Sequence, residues 1–240
     1  MQALFVKCPA LIDLFQAPNL VGRSGSVIHW HTMAASTANN LLLLDALMEK
    51  FRPKSTLEIG LAAGASAMLL CQCHKSLGRA GQKQHIAIDP FQTTVTDWDS
   101  AGLMAMERAG LADYLDFHEG PSAFELPKLH ARGQRFGLIY VDGSHLFENV
   151  FVDAYFGTRL LEPDGIVAFD DCSNSHVATV IRFLRSNCPG LREINLNNYR
   201  THPRHPLFYE SARRLGRLQM VAFQKIGGMD RPWDSELKPF

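Results

Sequence analysis

Apolar positions along this chain switch repeatedly between two rhythms. Leu41, Leu42, Leu44, Ala46, Leu47 and Met48 recur at helical spacing and predict a helix over 36–51 that Pro53 stops. The short β-rich run STLEIG follows, then a helix over 65–77. Strand patterns recur at 84–89, in DYLDFHEG, in RFGLIYVDG and in GIVAFDD, and helical patterns fill 97–110, 122–132, 145–161 and 174–187. Ser122 is the expected N-cap of its helix, with Glu125 at capping-box spacing. RFGLIYVDG is the most continuous apolar run, as a central strand buried on both faces requires.

Alternation of strand and helix with short links predicts an α/β fold, an open and mostly parallel sheet with helices on both faces. The last two strand patterns, LREINL and RLQMVAFQKI, have no helix pattern between them and are expected to pair antiparallel at the sheet edge. The chain reads as an N-terminal extension or cap over 1–35, one domain over 36–226, and a tail over 227–240 that begins with two glycines and is expected to leave the domain. Trp233 in that tail is a candidate for packing onto a neighbour. Ligands of such sheets bind at the carboxyl ends of the strands, so chemistry is expected immediately after each strand.

Composition narrows the picture. Lys+Arg and Asp+Glu are both 24 in 240 residues, so no overall basic field draws the chain to nucleic acid or an acidic membrane. No long uninterrupted apolar run predicts a membrane span, and the N-terminus lacks the pattern of a signal peptide. Five unevenly spaced cysteines argue against a disulfide framework and for a reducing, cytoplasmic setting.

The strand ends carry the candidate chemistry. EIGLAAGAS places Glu58, Gly60, Gly64 and Ser66 where a strand hands over to a helix. Glycine there lets backbone N–H groups approach a ligand, and the helix start adds a positive dipole end. The spacing fits neither a G-x-G-x-x-G fingerprint nor a P-loop, and a carboxylate at Glu58 suits a ligand with a positive centre. Asp89, after the next strand, is placed to accept two ribose hydroxyls or to serve as a loop acid. Gly120 and Ser122 either line an adenine edge or, for Ser122, cap the helix. Asp142, Asp170 and Asp171 converge after the last two parallel strands, and three carboxylates in one cleft suit a divalent ion such as Mg²⁺ unless they serve as caps or ion-pair partners. His145, three residues after Asp142, is the candidate base.

Glu58-x-Gly60-x-x-x-Gly64-x-Ser66 followed by Asp89 resembles the class I S-adenosylmethionine-dependent methyltransferases, and VDGSH with FDD resembles their metal-dependent O-methyltransferase branch, of sugar, macrolide and catechol type. The resemblance covers roughly 41–187 and the terminal strands. It implies a Rossmann-like sheet of seven strands with an antiparallel edge strand. It further implies that Gly60, Gly64 and Ser66 flank the methionine moiety, with Glu58 near the cofactor's positive end and Asp89 at the ribose. By the same resemblance Asp142, Asp170 and Asp171 bind Mg²⁺ or another divalent cation, and His145 is the base. Asp171 matches the sugar and macrolide branch, where catechol-type relatives often carry Asn. Ala62 and Ala63 stand where relatives often have Gly, Thr or Tyr.

The implied partner is a small-molecule hydroxyl acceptor, with neither nucleic acid nor membrane, and a homodimer is a further expectation. Three other functions stay open on the sequence: a metal-free methyltransferase, a nicotinamide-dependent oxidoreductase and a non-catalytic binding protein. CQCH at 71–74 lies inside a helix and reads as packing rather than a zinc site. HWH at 29–31 reads as substrate-facing or as an exposed loop, and the basic stretch 199–214 as a lid, a subunit contact or a surface loop.

Overall fold

A computed structural model of the protein describes residues 2–29, 36–79 and 81–240. Trp30 and His31 lie outside the described residues, and His29 meets the Asn19 side chain. The elements in chain order are α1 (Gln2–Lys7), α2 (Ala10–Gln16), β1 (Leu20–Val21), β2 (Val27–Ile28), α3 (Ala38–Phe51), β3 (Thr56–Ile59), α4 (Ala65–Ser76), β4 (His85–Asp89), α5 (Ala101–Arg108), β5 (Leu115–Glu119), α6 (Ser122–Ala131), β6 (Phe136–Val141), α7 (Phe147–Leu160), β7 (Leu161–Phe169), α8 (Ser175–Asn187), β8 (Leu191–Ile194), α9 (Pro206–Arg214) and β9 (Val221–Lys225).

Seven strands form one sheet in the order β5-β4-β3-β6-β7-β9-β8. The first five run parallel, and β9 is antiparallel to both β7 and β8. The antiparallel pairing expected for the last two strands is therefore present. A nine-residue helix, α9, nevertheless lies between them, where no helix was expected. Its start at Pro206 fits the preference of proline for the first helical turn. The helix is short and buries only Tyr209, so it lacks the broad apolar face by which the other helices read.

The sheet separates two apolar layers. Leu41, Leu44, Met68 and Leu69 fill the layer under α3 and α4, and Leu126, Val150, Val180 and Ile181 fill the one under α6, α7 and α8. The N-terminal extension joins the first layer: Leu4, Cys8, Leu11 and Leu14 are buried there. All five cysteines are free, and Cys71 and Cys73 are buried as packing residues. The tail does not leave the domain. Lys238 exchanges two backbone hydrogen bonds with the Asn187 side chain (3.0 and 2.8 Å), and Phe240 packs edge-on against Phe183. Trp233 is 98% exposed. No helix among the described residues is long and apolar enough to cross a membrane.

Register brings the strand ends together. Ile59 lies beside Ile88 of β4 and Val141 of β6, and Val141 lies beside Phe169 of β7. The next residues, Gly60, Asp89, Asp142 and Asp170, therefore share one sheet edge. Gly60 has φ +93°, and a Cβ there would stand 2.2 Å from the Asp142 carbonyl oxygen. Gly60→Ala is expected to cost roughly 2–4 kcal/mol through left-handed strain and overpacking. Urea denaturation checks this, and an unchanged midpoint would mean that the edge relaxes without cost.

Candidate active site

A cavity of about 230 Å³ opens at this edge. One wall is the loop Gly60–Ala63 with Ala65 and Ser66, and the other is Asp142, His145, Asp170, Asp171 and Gln219. Ser36 and Thr37, at the entrance to α3, complete it. Of the residues anticipated from sequence, Gly60, Ser66, Asp142, His145, Asp170 and Asp171 meet here. Gly64, Glu58, Asp89, Gly120 and Ser122 do not line the cavity.

Gly64 is the N-cap of α4, in the left-handed region at φ +84°. Asp89 sits behind the loop. Its Oδ2 accepts the Leu61 and Ala62 N–H groups, both at 3.0 Å, and its Oδ1 accepts the Phe91 N–H at 2.8 Å. Asp89 thus holds the glycine loop in shape, and Oδ1 keeps a second lone pair. Gly120 ends β5 with φ +151°. Ser122 is not the N-cap of α6: Pro121 takes that position, without a side-chain cap, and Ser122 is the first helical residue.

The acids do not behave as an equivalent trio. Asp170 is buried and saturated. Its oxygens accept from Asn40 (2.6 and 2.7 Å), the Tyr140 hydroxyl, the Asp171 N–H (2.6 Å) and Gln219 (3.2 Å). Among the described residues, the group whose ligand atoms converge, all within 4.8 Å of one another, is Asp142, His145 and Asp171. Asp170, expected among the ligands, lines the same cavity with its oxygens turned to neutral donors, and His145 stands beside Asp142 and Asp171. Among the described residues Asp142 accepts a Ser36 hydroxyl at 3.1 Å, and burial, then the Asp170, Glu58 and Asp171 charges, push its carboxyl well above the usual range. His145 Nε2 lies 2.8 Å from Asp171 Oδ2. That contact lowers the Asp171 carboxyl and raises the His145 imidazole.

Asn40, Tyr140, Gln219 and Ser36 were not anticipated. A signal existed for two of them. Asn40 sits among leucines on the buried face of a helix, and Tyr140 puts a hydroxyl in a strand buried on both faces. Each polar group needs a partner there.

Glu58 was expected near the ligand and is instead fully buried under the loop. It accepts from the Ser66 hydroxyl and lies 3.1 Å from His85 Nε2. His85 Nδ1 meets Thr56 Oγ1 at 2.8 Å, Thr56 Oγ1 meets His74 Nε2 at 2.9 Å, and His74 Nδ1 meets the Arg79 guanidinium. Arginine can only donate, so His74 Nδ1 must accept. Every later bond is then fixed: His74 Nε2–H to Thr56, Thr56 to His85 Nδ1, and His85 Nε2–H to Glu58. Burial keeps both imidazoles neutral, lowering each pKa to about 3. The chain orients Glu58 and cannot carry a proton outward, because its outer end cannot accept one.

Burial raises the Glu58 carboxyl to about 8, against the Ser66 bond that favours its ionised form. The folded protein therefore binds this proton more tightly than the unfolded chain. Stability from the neutral carboxyl is fully present below pH ~4.5 and is lost as pH rises to about 8. Glu58→Gln removes this slope, so its melting temperature relative to the unsubstituted protein is expected to climb between pH 5 and 8 and level above. Scanning calorimetry at pH ~5, ~7 and ~9 checks this. A constant difference would sink it.

Residues 57–172 match the family model described as a methyltransferase domain. No curated protein matches the sequence. Among solved structures, the chain is similar to cofactor-bound Rv0187 from MTB, at 16% identity and TM-score 0.61, over 94% of this chain and 91% of that one. It is similar to the O-methyltransferase TomG of tomaymycin synthesis from Streptomyces achromogenes, solved with SAM, at 17% identity and TM-score 0.58, over 81% and 82%. It is also similar to CalS11, the TDP-rhamnose 3'-O-methyltransferase of calicheamicin biosynthesis, at 17% identity and TM-score 0.55, over 79% of each. Strand order, the glycine loop at the β3–α4 turn and the match over residues 57–172 agree, and the chain has the Rossmann-like fold of these methyltransferase structures.

Proposed function

We propose that the protein transfers the sulfonium methyl of S-adenosylmethionine to a hydroxyl of a small molecule, a sugar, polyol or catechol-like natural product. The observation that carries this is the His145–Asp171 pair facing the glycine loop across one cavity. Gly60, Gly64 and Ser66 take the methionine end. Asp89, with its remaining Oδ1 lone pair, takes the ribose, and Gly120 and Ser122 stand toward the adenine. Glu58 acts through Ser66 rather than by touching the cofactor.

His145 is the base. With Nε2–H donated to Asp171, the imidazole lone pair lies on Nδ1, the atom that receives the hydroxyl proton. The acceptor oxygen forms its bond to the methyl carbon as the sulfur–carbon bond breaks, and the electron pair stays on sulfur. The two cavity walls bring donor and acceptor together, which supplies much of the acceleration.

A second reading keeps the methyl transfer and adds a divalent cation such as Mg²⁺. Asp142 and Asp171 offer carboxylate oxygens, the hard donors that fit such an ion, and Asp170 lines the same cavity, while the His145 nitrogen beside them suits a softer ion better. Bound there, the ion would polarise the acceptor hydroxyl. The raised Asp142 carboxyl, crowded by like charges, favours this reading.

His145→Gln is expected to lower kcat by roughly 10²–10³ with cofactor affinity unchanged. Radiolabelled methyl transfer across an acceptor panel, with calorimetric titration of S-adenosylmethionine, checks this. Full activity in the variant would remove His145 as base. Activity lost in chelator and restored by Mg²⁺ would support the cation, and unchanged activity would support transfer without one.

A further inference from the structure

A second pocket, of about 290 Å³, lies between α8, α9 and the start of β9. It is lined by four arginines, Arg182, Arg185, Arg213 and Arg214, with the Ser173 and Ser175 hydroxyls at its upper end. Two carboxylates, Glu193 and Glu210, answer three of the four guanidiniums. Arg185 forks onto Glu193 (2.9 and 2.6 Å), Arg213 reaches Glu193 (2.9 Å) and Glu210 (2.7 Å), and Arg214 reaches Glu210 (2.8 Å). Arg182 has no carboxylate partner among the described residues, and its guanidinium donates to Thr179 Oγ1 at 2.9 Å. No acidic residue lines the pocket itself. The local excess is therefore positive, in a chain whose formal net charge is zero.

Guanidiniums present planar forks of N–H donors that match phosphate oxygens two at a time. The glutamates pre-orient Arg185 and Arg213, so less side-chain freedom is lost when an anion binds. Arg182 and most of the Arg214 fork remain for the ligand.

This pocket adjoins the methyl-transfer cavity. Asp171 and Gln219 line the cavity, and Cys172 and Ser173 line the pocket. One strip of chain forms the partition: the Cys172 N–H donates to the Gln219 carbonyl at 2.9 Å, and Ser173 Oγ meets Gln219 Oε1 at 3.2 Å. Asp171 and Ser173 are two residues apart, a span of at most ~7 Å.

We propose that the arginine pocket binds the phosphate group of a phosphorylated methyl acceptor whose hydroxyl lies beside His145 in the neighbouring cavity. This rests on the methyl-transfer reading above and narrows its acceptor to a phosphate ester or diphosphate of the hydroxyl compound.

Calorimetric titration of the full chain, saturated with S-adenosylmethionine, with inorganic pyrophosphate tests it. Saturable binding is expected, weakened at least ~10-fold in Arg182→Gln/Arg214→Gln by the loss of charge-assisted bonds. The affinity for S-adenosylmethionine should be the same in both proteins. Arg182→Gln alone, which breaks no ion pair, replaces the double variant if the latter fails to fold. Three results overturn the proposal: no pyrophosphate binding by protein that binds S-adenosylmethionine, equal binding by the variant, or displacement of pyrophosphate by S-adenosylmethionine. Pyrophosphate binding without any S-adenosylmethionine binding would instead overturn the methyl-transfer reading, and the acceptor assignment with it.

Discussion

The carbonyl of Asp142 occupies the space that a side chain at position 60 would need. That crowding is the constraint on which the site depends. It lets β3 and β6 run side by side to their last residues and then turn away in opposite directions, one into the glycine loop and the other toward Asp142 and His145. With any side chain at position 60, the glycine-loop wall and the acidic wall would be forced apart. Asp89 ties down the loop from behind by its Leu61 and Ala62 N–H bonds. Asp142 is anchored in turn by its own N–H to the Ile59 carbonyl at 2.9 Å. Both walls are thus set at one sheet edge, by the Asp142 backbone on one side and by the Asp89 carboxylate behind the loop on the other.

Electrostatics then divides the acids by environment. Asp170 lies deepest and is surrounded by neutral donors, a common solution for a buried carboxylate without a counter-ion. Asp171 reaches the surface side and pairs with His145. Asp142, between them, meets the Ser36 hydroxyl among the described residues. Three aspartates that look alike in sequence therefore differ in proton affinity: burial raises Asp142 and Asp170, and the His145 contact lowers Asp171.

The parallel core was legible because its strands are buried on both faces and read as continuous apolar runs, RFGLIYVDG above all. The strand-end motifs were legible because register places residues that follow aligned strands on one edge. α9 was not, since it is short, starts within a proline-bearing polar stretch and leaves Leu207 and Phe208 exposed. The return of the tail was hidden too: the Asn187–Lys238 and Phe183–Phe240 contacts join distant positions that no local spacing marks. The inward turn of Asp170 depends on Asn40, Tyr140 and Gln219, which come from three separate elements. Sequence could ask for partners there without naming them.

The hydrogen-bonded run from Arg79 through His74, Thr56 and His85 to Glu58 and Ser66 has a direction, set by the one member that can only give protons. A run with a direction cannot be edited one position at a time. Changing His85 strands a donor on one side and an acceptor on the other, and changing Arg79 frees the whole run to reverse. These positions are therefore expected to be inherited together, as a single evolutionary character spread over β3, α4 and β4, so that a lineage either keeps the set or replaces it whole with apolar side chains.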